Sequence, residues 1–390
     1  MKILITLFII QSGAIILNLF KVLSNIFMTN ILRFSYGSFL IFSGGVKILD
    51  PLGFSYKLQE YFEVFGIEFL VPLTLFLSIF ICLFEIFIGF FLIYGVHVKK
   101  ALWCNLVLMI GFTFLTFYSA YFNAVTDCGC FGDFMKLEPW FSFQKDVVLL
   151  IVSLVLFLNK IHIKSLFVSS KSLILIFLIT LFIPIYSLSH LPFIDFRSYK
   201  IGSNIVDKMK ECDEFNPPKE CGGEFFYYMV KNKKTSKMES IRSDKVNWEQ
   251  YSWEKNLSYI DSLKSPDVIK GYEPSVKDFE LLDLEKGVDM TDSILAMDKV
   301  LLLISYDINK TNILAHSFVN DDLLSILNKN NVPIYGLSSS SEKDVSKRLS
   351  LDTLHLQYLL ADQTTLKTII RSNPGLVVLE RGVVSDKLHW

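Results

Sequence analysis

The stretch FLVPLTLFLSIFICLFEIFIGFFLIYG, residues 69–95, decides the fold of the first half of the chain. Its only charged side chain is Glu85, and every other position is apolar, small or weakly polar. About 20 apolar residues in helical form cross the ~30 Å hydrocarbon core of a bilayer. The stretch therefore predicts a membrane-spanning helix with one carboxyl group near its middle.

Four further apolar runs predict membrane helices of the same kind: Ile31–Leu49, Ala101–Asn123, Gln144–Leu158 and Leu173–Leu191. One more run, Ile3–Phe20, has three interpretations: a sixth span, a signal peptide, or translation from an upstream start codon. No A-x-A-like cleavage site follows this run, which argues against a signal peptide. We therefore treat residues 1–27 as an ambiguous segment and expect the membrane domain to cover 28–192.

Charged residues are distributed very unevenly along the 390-residue chain. Residues 1–192 contain 21 charged side chains, whereas residues 193–390 contain 56. The first half therefore reads as a membrane segment and the second as a water-soluble one. The net charge of −1 gives no electrostatic footprint for nucleic acid. The composition excludes a soluble cytosolic enzyme and a DNA-binding protein.

The basic residues of the short loops predict how the membrane domain is oriented. Lys99 and Lys100 lie in the loop after the second main span, and Lys160, Lys164 and Lys171 lie in the loop after the fourth. The alternate loops are acidic or mixed. Because basic loops stay in the cytoplasm, five spans place everything after Leu191 outside it. In a Gram-negative cell the C-terminal half would be periplasmic and the protein a multi-pass inner-membrane protein.

The exported half divides into two predicted parts. Residues 193–272 indicate a small β-rich module with a strand at Phe225–Val230. Residues 273–390 alternate strand and helix signals, which is typical of an α/β domain. The run KVLLLISY at 299–306 predicts a buried central strand. The chain closes with a predicted hairpin turned at 380–382.

The six cysteines differ by location. Cys82 and Cys104 lie in predicted membrane helices, where a buried cysteine usually behaves as a small hydrophobic residue. Cys212 and Cys221 lie in the exported module, and an oxidising compartment favours a structural disulfide between them. Two free thiols at these positions remain the alternative.

The pair Cys128 and Cys130, in the sequence DCGCFGD at 127–133, carries the most chemistry. A disulfide between them would close a small ring, and strained accessible disulfides are the labile, catalytic ones. Gly129 gives such a turn backbone freedom. Three interpretations stay open: redox exchange, a purely structural turn, and metal binding. A structural zinc site requires four ligands, usually cysteine or histidine, and this loop contains no histidine. We therefore predict no metal site.

Glu85 is the second candidate, since an ionisable group inside a span indicates function by default. The alternative is a protonated Glu85 hydrogen-bonded to Asn105 or Tyr36. At the outer end of the first main span, Lys47 is expected to extend its ammonium to the lipid headgroups as an anchor. The Gly44-Gly45 pair predicts close packing between helices.

Three segments together resemble a known family. They are SGGVKILDPLGF at 43–54, Glu85, and DCGCFGD at 127–133. Over residues 28–190 they resemble the DoxX family, in particular its methylamine-utilisation MauE-type members. The tail LKTIIRSNPGL at 366–376 resembles the extended DoxX proteins of Bacteroidetes.

The resemblance implies a four-helix membrane core, extended here by one or two helices, with a role in thiol or electron transfer. MauE-type proteins are linked to disulfide formation beside a thioredoxin-like partner, and DoxX relatives to quinone redox chemistry. Cys128 and Cys130 match the family's cysteine motif and take that expected role. The implied cofactor is a membrane quinone.

The last domain resembles a thioredoxin-like fold, with Pro374 at the position of that superfamily's cis-proline. It departs from the pattern where C-x-x-C should follow the central strand, because Asp307-Ile308-Asn309-Lys310 stands there. We therefore expect a docking domain that cannot exchange a disulfide itself.

These observations lead to two functional hypotheses. The first is a membrane thiol–disulfide or electron-transfer component acting through Cys128 and Cys130. Its expected partners are the lipid bilayer and an exported client protein or thioredoxin-like protein. The second is a non-enzymatic, membrane-anchored scaffold in which the cysteine turn is only structural.

Overall fold

The structure is a computed structural model of the chain. It describes residues 2–125, 129–166, 170–212, 214–215, 219, 223–225, 227–232, 238–242, 257–262, 267–269, 271–283, 286–312, 325–327, 329–349 and 356–390. The chain forms two compact units. The helical unit comprises Met1–Arg197, Ile370–Gly375 and Leu388–Trp390, and the sheet unit comprises Ser198–Ile369 and Leu376–Lys387.

The described residues of the helical unit form seven α-helices. They are α1 (Lys2–Leu19), α2 (Asn25–Leu49), α3 (Pro51–Val64), α4 (Thr74–Tyr94), α5 (Val98–Phe122), α6 (Pro139–Leu158) and α7 (Ser170–Ser189). Four segments among the described residues are long and apolar enough to cross a membrane: Glu68–Tyr94, Val98–Phe122, Pro139–Leu158 and Lys171–Ser189. They coincide with four of the five main predicted spans. Many large apolar side chains of α4–α6 are exposed, as expected for helices that face lipid.

The remaining predicted span is Ile31–Leu49, the first in chain order. It lies within α2 and is less apolar than the other four. Helix α2 is 25 residues long, which is sufficient to cross a bilayer. However, its polar residues Arg33, Ser43 and Lys47 are buried inside the unit. The polar face of α2 therefore forms part of the interior of the bundle, which lowers the hydropathy of the whole helix.

Helices α2 and α4 approach each other closely at glycines. A Cβ atom added at Gly89 would lie 2.6 Å from the Gly37 carbonyl oxygen, and one added at Gly44 would lie 2.9 Å from the Cys82 carbonyl oxygen. Small residues allow such contact between helix backbones. The packing role predicted for the glycine pair is thus confirmed for Gly44, but Gly45 has no atom within 4 Å of its added Cβ.

The junction between α2 and α3 is formed by one residue. Asp50 ends α2, and its side chain accepts a hydrogen bond from the Gly53 backbone N–H at 3.0 Å. Pro51 follows at the first position of α3. An acidic N-cap followed by proline is a strong helix-start signal. The chain therefore turns sharply here and holds the Asp50 carboxylate at the end of the bundle.

The first part of the sheet unit contains small antiparallel sheets. Its elements are α8 (Ile205–Met209), β1 (Gly223–Phe225), β2 (Tyr227–Asn232), β3 (Met238–Arg242), β4 (Leu257–Ser262) and β5 (Asp267–Ile269). Strand β1 pairs with β5, and β2 lies between β3 and β4. The strand predicted at Phe225–Val230 falls at β1 and β2.

The second part of this unit is a seven-stranded mixed sheet with the order β12-β11-β8-β9-β10-β6-β7. The strands are β6 (Leu282–Asp283), β7 (Val288–Asp289), β8 (Val300–Ile304), β9 (Ile334–Ser338), β10 (Tyr358–Leu360), β11 (Gly375–Glu380) and β12 (Val383–His389). Strands β8, β9 and β10 are parallel, and β6 is antiparallel to β10. Every residue of β8 is buried, as the run at 299–306 predicts.

Short helices in the described part of this domain accompany the sheet: α9 (Thr291–Leu295), α10 (Glu342–Leu349) and α11 (Gln363–Ile369). The sequence also predicts a helix at 311–329, and most of these residues lie outside the described part of the chain. The closing hairpin turns at Arg381 and Gly382, whose φ angles are 49° and 75°. Two consecutive positive φ values are typical of the two-residue hairpin turn that matches strand twist. The Asn373–Pro374 peptide bond is cis.

Candidate functional site

A largely enclosed cavity of about 30 Å³ lies inside the helical unit. Its lining includes Lys47 of α2, Glu85 of α4, Lys145 and Asp146 of α6, and Cys130 of the loop after α5. Two residues predicted from the sequence, Glu85 and Cys130, are therefore brought to one place. Cys128, the other half of the predicted pair, lies outside the described residues.

The loop at Cys130 is held in the bundle by its backbone and by an aromatic anchor. Gly129 has a φ of 63°, and its carbonyl oxygen accepts a hydrogen bond from the Gly132 N–H at 3.0 Å. Phe131 is 1% exposed and meets Phe39 edge to face, with ring centroids 5.9 Å apart. The glycine thus supplies the left-handed turn expected of it, and Phe131 fixes the turn against α2.

Cys130 itself is half-buried and carries a thiol. The Ser43 hydroxyl donates a hydrogen bond to the Cys130 carbonyl oxygen at 3.2 Å. Ser43 belongs to α2, one helical turn before Lys47. The loop is therefore fixed to the same helix face that carries the buried ammonium group.

Glu85 forms a buried ion pair with Lys47. The two side chains are 3% and 2% exposed, and both line the cavity. The expectation that Lys47 extends to the headgroups is wrong. Close packing of α2 on α4 turns Lys47 inward, where the Phe54 and Phe112 rings lie 5.3 and 5.2 Å from its Nζ.

The alternative role for Glu85, a hydrogen bond to Asn105 or Tyr36, is also wrong. Those two residues bond to each other, with the Tyr36 hydroxyl 3.2 Å from Asn105 Oδ1. The Asn105 amide donates to the Ser153 hydroxyl at 2.6 Å. This separate network joins α2, α5 and α6, so Asn105 is already satisfied without Glu85.

A second buried ion pair joins Lys145 and Asp146, with 2.6 Å between Nζ and Oδ1. Their side chains are 4% and 1% exposed. Asp146 also accepts a hydrogen bond from the Thr116 hydroxyl at 3.0 Å, and Lys145 lies over the Phe131 ring. This pair was not predicted from the sequence. Two adjacent opposite charges inside the predicted span Gln144–Leu158 were the available signal.

A third charged cluster lies at the end of the helical unit. The Arg371 guanidinium donates to Asp50 at 2.8 Å and to Asp133 at 2.9 Å. Its side chain is 5% exposed, and its Cζ atom lies 5.4 Å from the centre of the Tyr56 ring. Asp133 closes the cysteine loop, so Arg371 ties that loop to the junction of α2 and α3.

Burial disfavours the charged forms of both Asp50 and Arg371, but the ion pairs between these groups outweigh this effect. Arg371 and Arg197, with hydrogen bonds from Arg371 and the Gly53 N–H, hold the pKa of Asp50 below its ordinary value despite desolvation. Desolvation likewise works against the charge of Arg371. Asp50 and Asp133 nevertheless raise the pKa of Arg371 above its ordinary value. Asp50 and Arg371 are therefore ionised at neutral pH.

The remaining predicted site residues lie elsewhere. Cys212 is disulfide-bonded, and its predicted partner Cys221 lies outside the described residues. Within the described part of the chain, no group of three or more His, Cys, Asp or Glu side chains could hold a metal ion. The buried charges described above are thus arranged as ion pairs around a thiol.

Comparison with known proteins relates part of the chain to a family. No protein of curated function and no solved structure matches the chain. Residues 25–159, which contain helices α2 to α6 and the cysteine loop, are similar to the family described as methylamine utilisation protein MauE.

Proposed function

We propose that this protein is a membrane component of the cell envelope that exchanges thiols and disulfides through Cys128 and Cys130. The observation that carries the proposal is the placement of Cys130 on a cavity that two buried ion pairs also line. Buried charges are costly unless they are paired, and intramembrane ionisable groups usually mark a functional site. The similarity of residues 25–159 to the MauE family supports the same reading.

In the exchange, a disulfide between Cys128 and Cys130 accepts two electrons from a client dithiol. A client thiolate attacks one sulfur, a mixed disulfide forms, and the second client thiol releases a client disulfide. The loop is left as two thiols, and a thioredoxin-like partner disulfide restores it by the same steps in reverse. All electrons pass between protein thiols, so the balance needs no further reactant.

A membrane quinone does not fit the cavity beside Cys130. The cavity measures about 30 Å³, whereas an engineered cavity that takes up benzene measures about 150 Å³. A quinone ring is at least as large as benzene. We therefore derive no step through a quinone, and the proposed acceptors are protein disulfides.

The sheet unit is proposed to dock the client or partner protein. Its parallel strands β8, β9 and β10 with their helices are compatible with a thioredoxin-like domain. The residues after β8 are Asp307-Ile308-Asn309-Lys310, so the thiols must come from the helical unit. Charge asymmetry of the loops supports an inner-membrane protein whose C-terminal half is periplasmic.

Trapping the thiol state in cells tests this function. Cells are quenched with acid and alkylated, and the Cys128–Cys130 peptide is analysed by mass spectrometry. We expect an oxidised and a reduced form whose ratio changes with growth conditions. The Cys130→Ser variant cannot form the loop disulfide, so it should lose function. Its Cys128 thiolate should attack the disulfide of the thioredoxin-like partner and accumulate as a mixed disulfide with that partner.

Cys104→Ser serves as the matched control, because Cys104 carries a thiol on α5 and does not line the cavity. This variant should behave like the wild type. A pair that is reduced under every growth condition, or a Cys130→Ser variant with full function, would refute the exchange. If a variant that lacks both Cys128 and Cys130 then still binds one partner protein stoichiometrically, the result favours a non-enzymatic, membrane-anchored scaffold.

A further inference from the structure

The cavity beside Cys130 contains the groups needed to move a proton without changing its total charge. Lys47 and Glu85 form an ion pair without net charge, and Cys130 carries a thiol on the same cavity. A thiol must lose its proton before it can act as a nucleophile. If that proton left the cavity, a net negative charge would remain in a poorly solvated place, which is costly.

The arrangement offers a cheaper route. We propose that Glu85 accepts the proton of the Cys130 thiol while Lys47 exchanges one anionic partner for the other. The S–H bond breaks, an O–H bond forms on Glu85, and the ammonium of Lys47 then pairs with the thiolate. The cavity is neutral before and after the transfer. Nothing is oxidised in this step, which deepens the proposed function and rests on it.

The geometry supports such a transfer. All three residues line the same cavity, whose volume of about 30 Å³ admits a water molecule. A single water can relay a proton between groups that do not touch. Cys130 also lies close enough to Lys47 for a thiolate at that position to interact electrostatically with the ammonium. Lys47 is thus the counter-ion shared by the carboxylate and the thiolate.

Among the described residues, the other charged groups near Cys130 are already paired or lie outside the cavity. On α6, Lys145 is paired with Asp146. On α3, Lys57 lies against Gly129 but is 22% exposed and paired with Glu60 at 3.0 Å.

The groups on the remaining sides of Cys130 also have partners or lie outside the described residues. The Tyr61 hydroxyl of α3 is hydrogen-bonded to Ser119 on α5. In the loop itself, Asp133 is bound by Arg371, and Asp127 lies outside the described residues. On α4, Cys82 is buried next to the Lys47–Glu85 pair.

The test is the pH profile of Cys130 alkylation in the full-length, membrane-reconstituted protein. A Cys128→Ser background leaves Cys130 as the thiol of this loop. Iodoacetamide is added at a series of pH values, and modification of Cys130 is followed by mass spectrometry. This readout needs no client, so it separates failure of the acid–base assignment from failure of the exchange function.

The two variants of the ion pair should move the profile in opposite directions. In Lys47→Met the thiolate loses its counter-ion, and the rate at pH 7 should fall at least about tenfold, equivalent to a shift of one pH unit. In Glu85→Gln the Lys47 ammonium has no carboxylate partner and can pair only with the Cys130 thiolate. The rate of Cys130 alkylation at pH 7 should therefore rise. Lys47→Arg should restore the wild-type profile.

A purely structural role would loosen the loop in both variants and speed alkylation in both. Lys57→Met is the matched control, because it removes a lysine beside the same turn from a partly solvated ion pair; its rate should change less than about twofold. If either single variant fails to fold, the Lys47→Met/Glu85→Gln double variant has no unpaired charge and should react more slowly than the wild type. The assignment is overturned if Lys47→Met and Glu85→Gln shift the profile in the same direction, or if either of these two variants leaves it unchanged.

Discussion

Replacement of Arg371 by methionine should destabilise the helical unit strongly. The guanidinium is 5% exposed and forms ion pairs of 2.8 and 2.9 Å with Asp50 and Asp133. Removing one member of a buried ion pair typically costs about 3–5 kcal/mol, because the partner charge stays buried without compensation. Here the two carboxylates are 19% and 28% exposed. Water can reach them in part, so we expect a loss near the lower end, about 3 kcal/mol.

Thermal unfolding in detergent, followed by exposure of buried cysteines to a fluorescent thiol reagent, measures this loss. For a unit of this size, 3 kcal/mol corresponds to a fall in Tm of about 6–12 °C. Arg381→Met is the matched control. Arg381 bonds to Asp298 at the same 2.8 Å, but the two side chains are 78% and 87% exposed. Exposed pairs contribute about 0–1 kcal/mol, so this variant should unfold close to the wild type.

Two further measurements test the same ion pairs: a substitution of one carboxylate partner and a pH series. Adding Asp50→Asn to Arg371→Met removes a stranded charge and should recover part of the lost stability. The pKa of Asp50 is lowered in the folded state, so its contribution is complete above its ordinary value of 3.8 and is lost as the pH falls through the lower folded value. The difference between wild type and Arg371→Met should therefore shrink below pH 4. An Arg371→Met loss no larger than that of Arg381→Met would refute the reasoning.

Three further predictions concern packing and the disulfide. Gly89→Val should destabilise the α2–α4 contact, because its Cβ would lie 2.6 Å from a backbone oxygen, whereas Gly45→Val has open space and should unfold near the wild-type temperature. Phe131→Ala should cost about 3–5 kcal/mol and speed alkylation of the adjacent cysteine, as it empties a 1% exposed site; an unchanged alkylation rate would contradict the anchoring role. Cys221→Ser should make Cys212 reactive to maleimide without reduction, and a Cys212 that stays protected would exclude this pairing.

Much of the fold could be predicted from hydrophobic patterns, because these patterns are local. The run at 69–95 needs no partner to be recognised as a membrane helix, and four such runs appear as apolar helices in the structure. The strand at 299–306 and the closing hairpin follow from local signals in the same way. Helix α2 has a weaker hydrophobic pattern, because only its lipid-facing side is apolar and its other side carries buried polar residues.

The candidate site could be predicted only in part, because its charges meet through tertiary contacts. A single lysine near the end of a span fits an anchor as well as a buried ion pair. What separates the two is the close glycine contact that turns Lys47 toward Glu85, and this contact depends on where α4 lies. Arg371 is more remote still, since it lies 321 residues from Asp50 and 238 from Asp133 in the chain. No local pattern connects residues so far apart.

The long separation of Arg371 from its partners has a consequence for biosynthesis. The ribosome completes Asp50 and Asp133 hundreds of codons before it reaches the arginine that neutralises them. Until then, the newly inserted helices carry two carboxylates that lack their principal counter-ion. A message truncated before codon 371 would produce every hydrophobic helix yet leave this end of the bundle uncompensated. Such a product should therefore be less stable than a chain that includes Arg371.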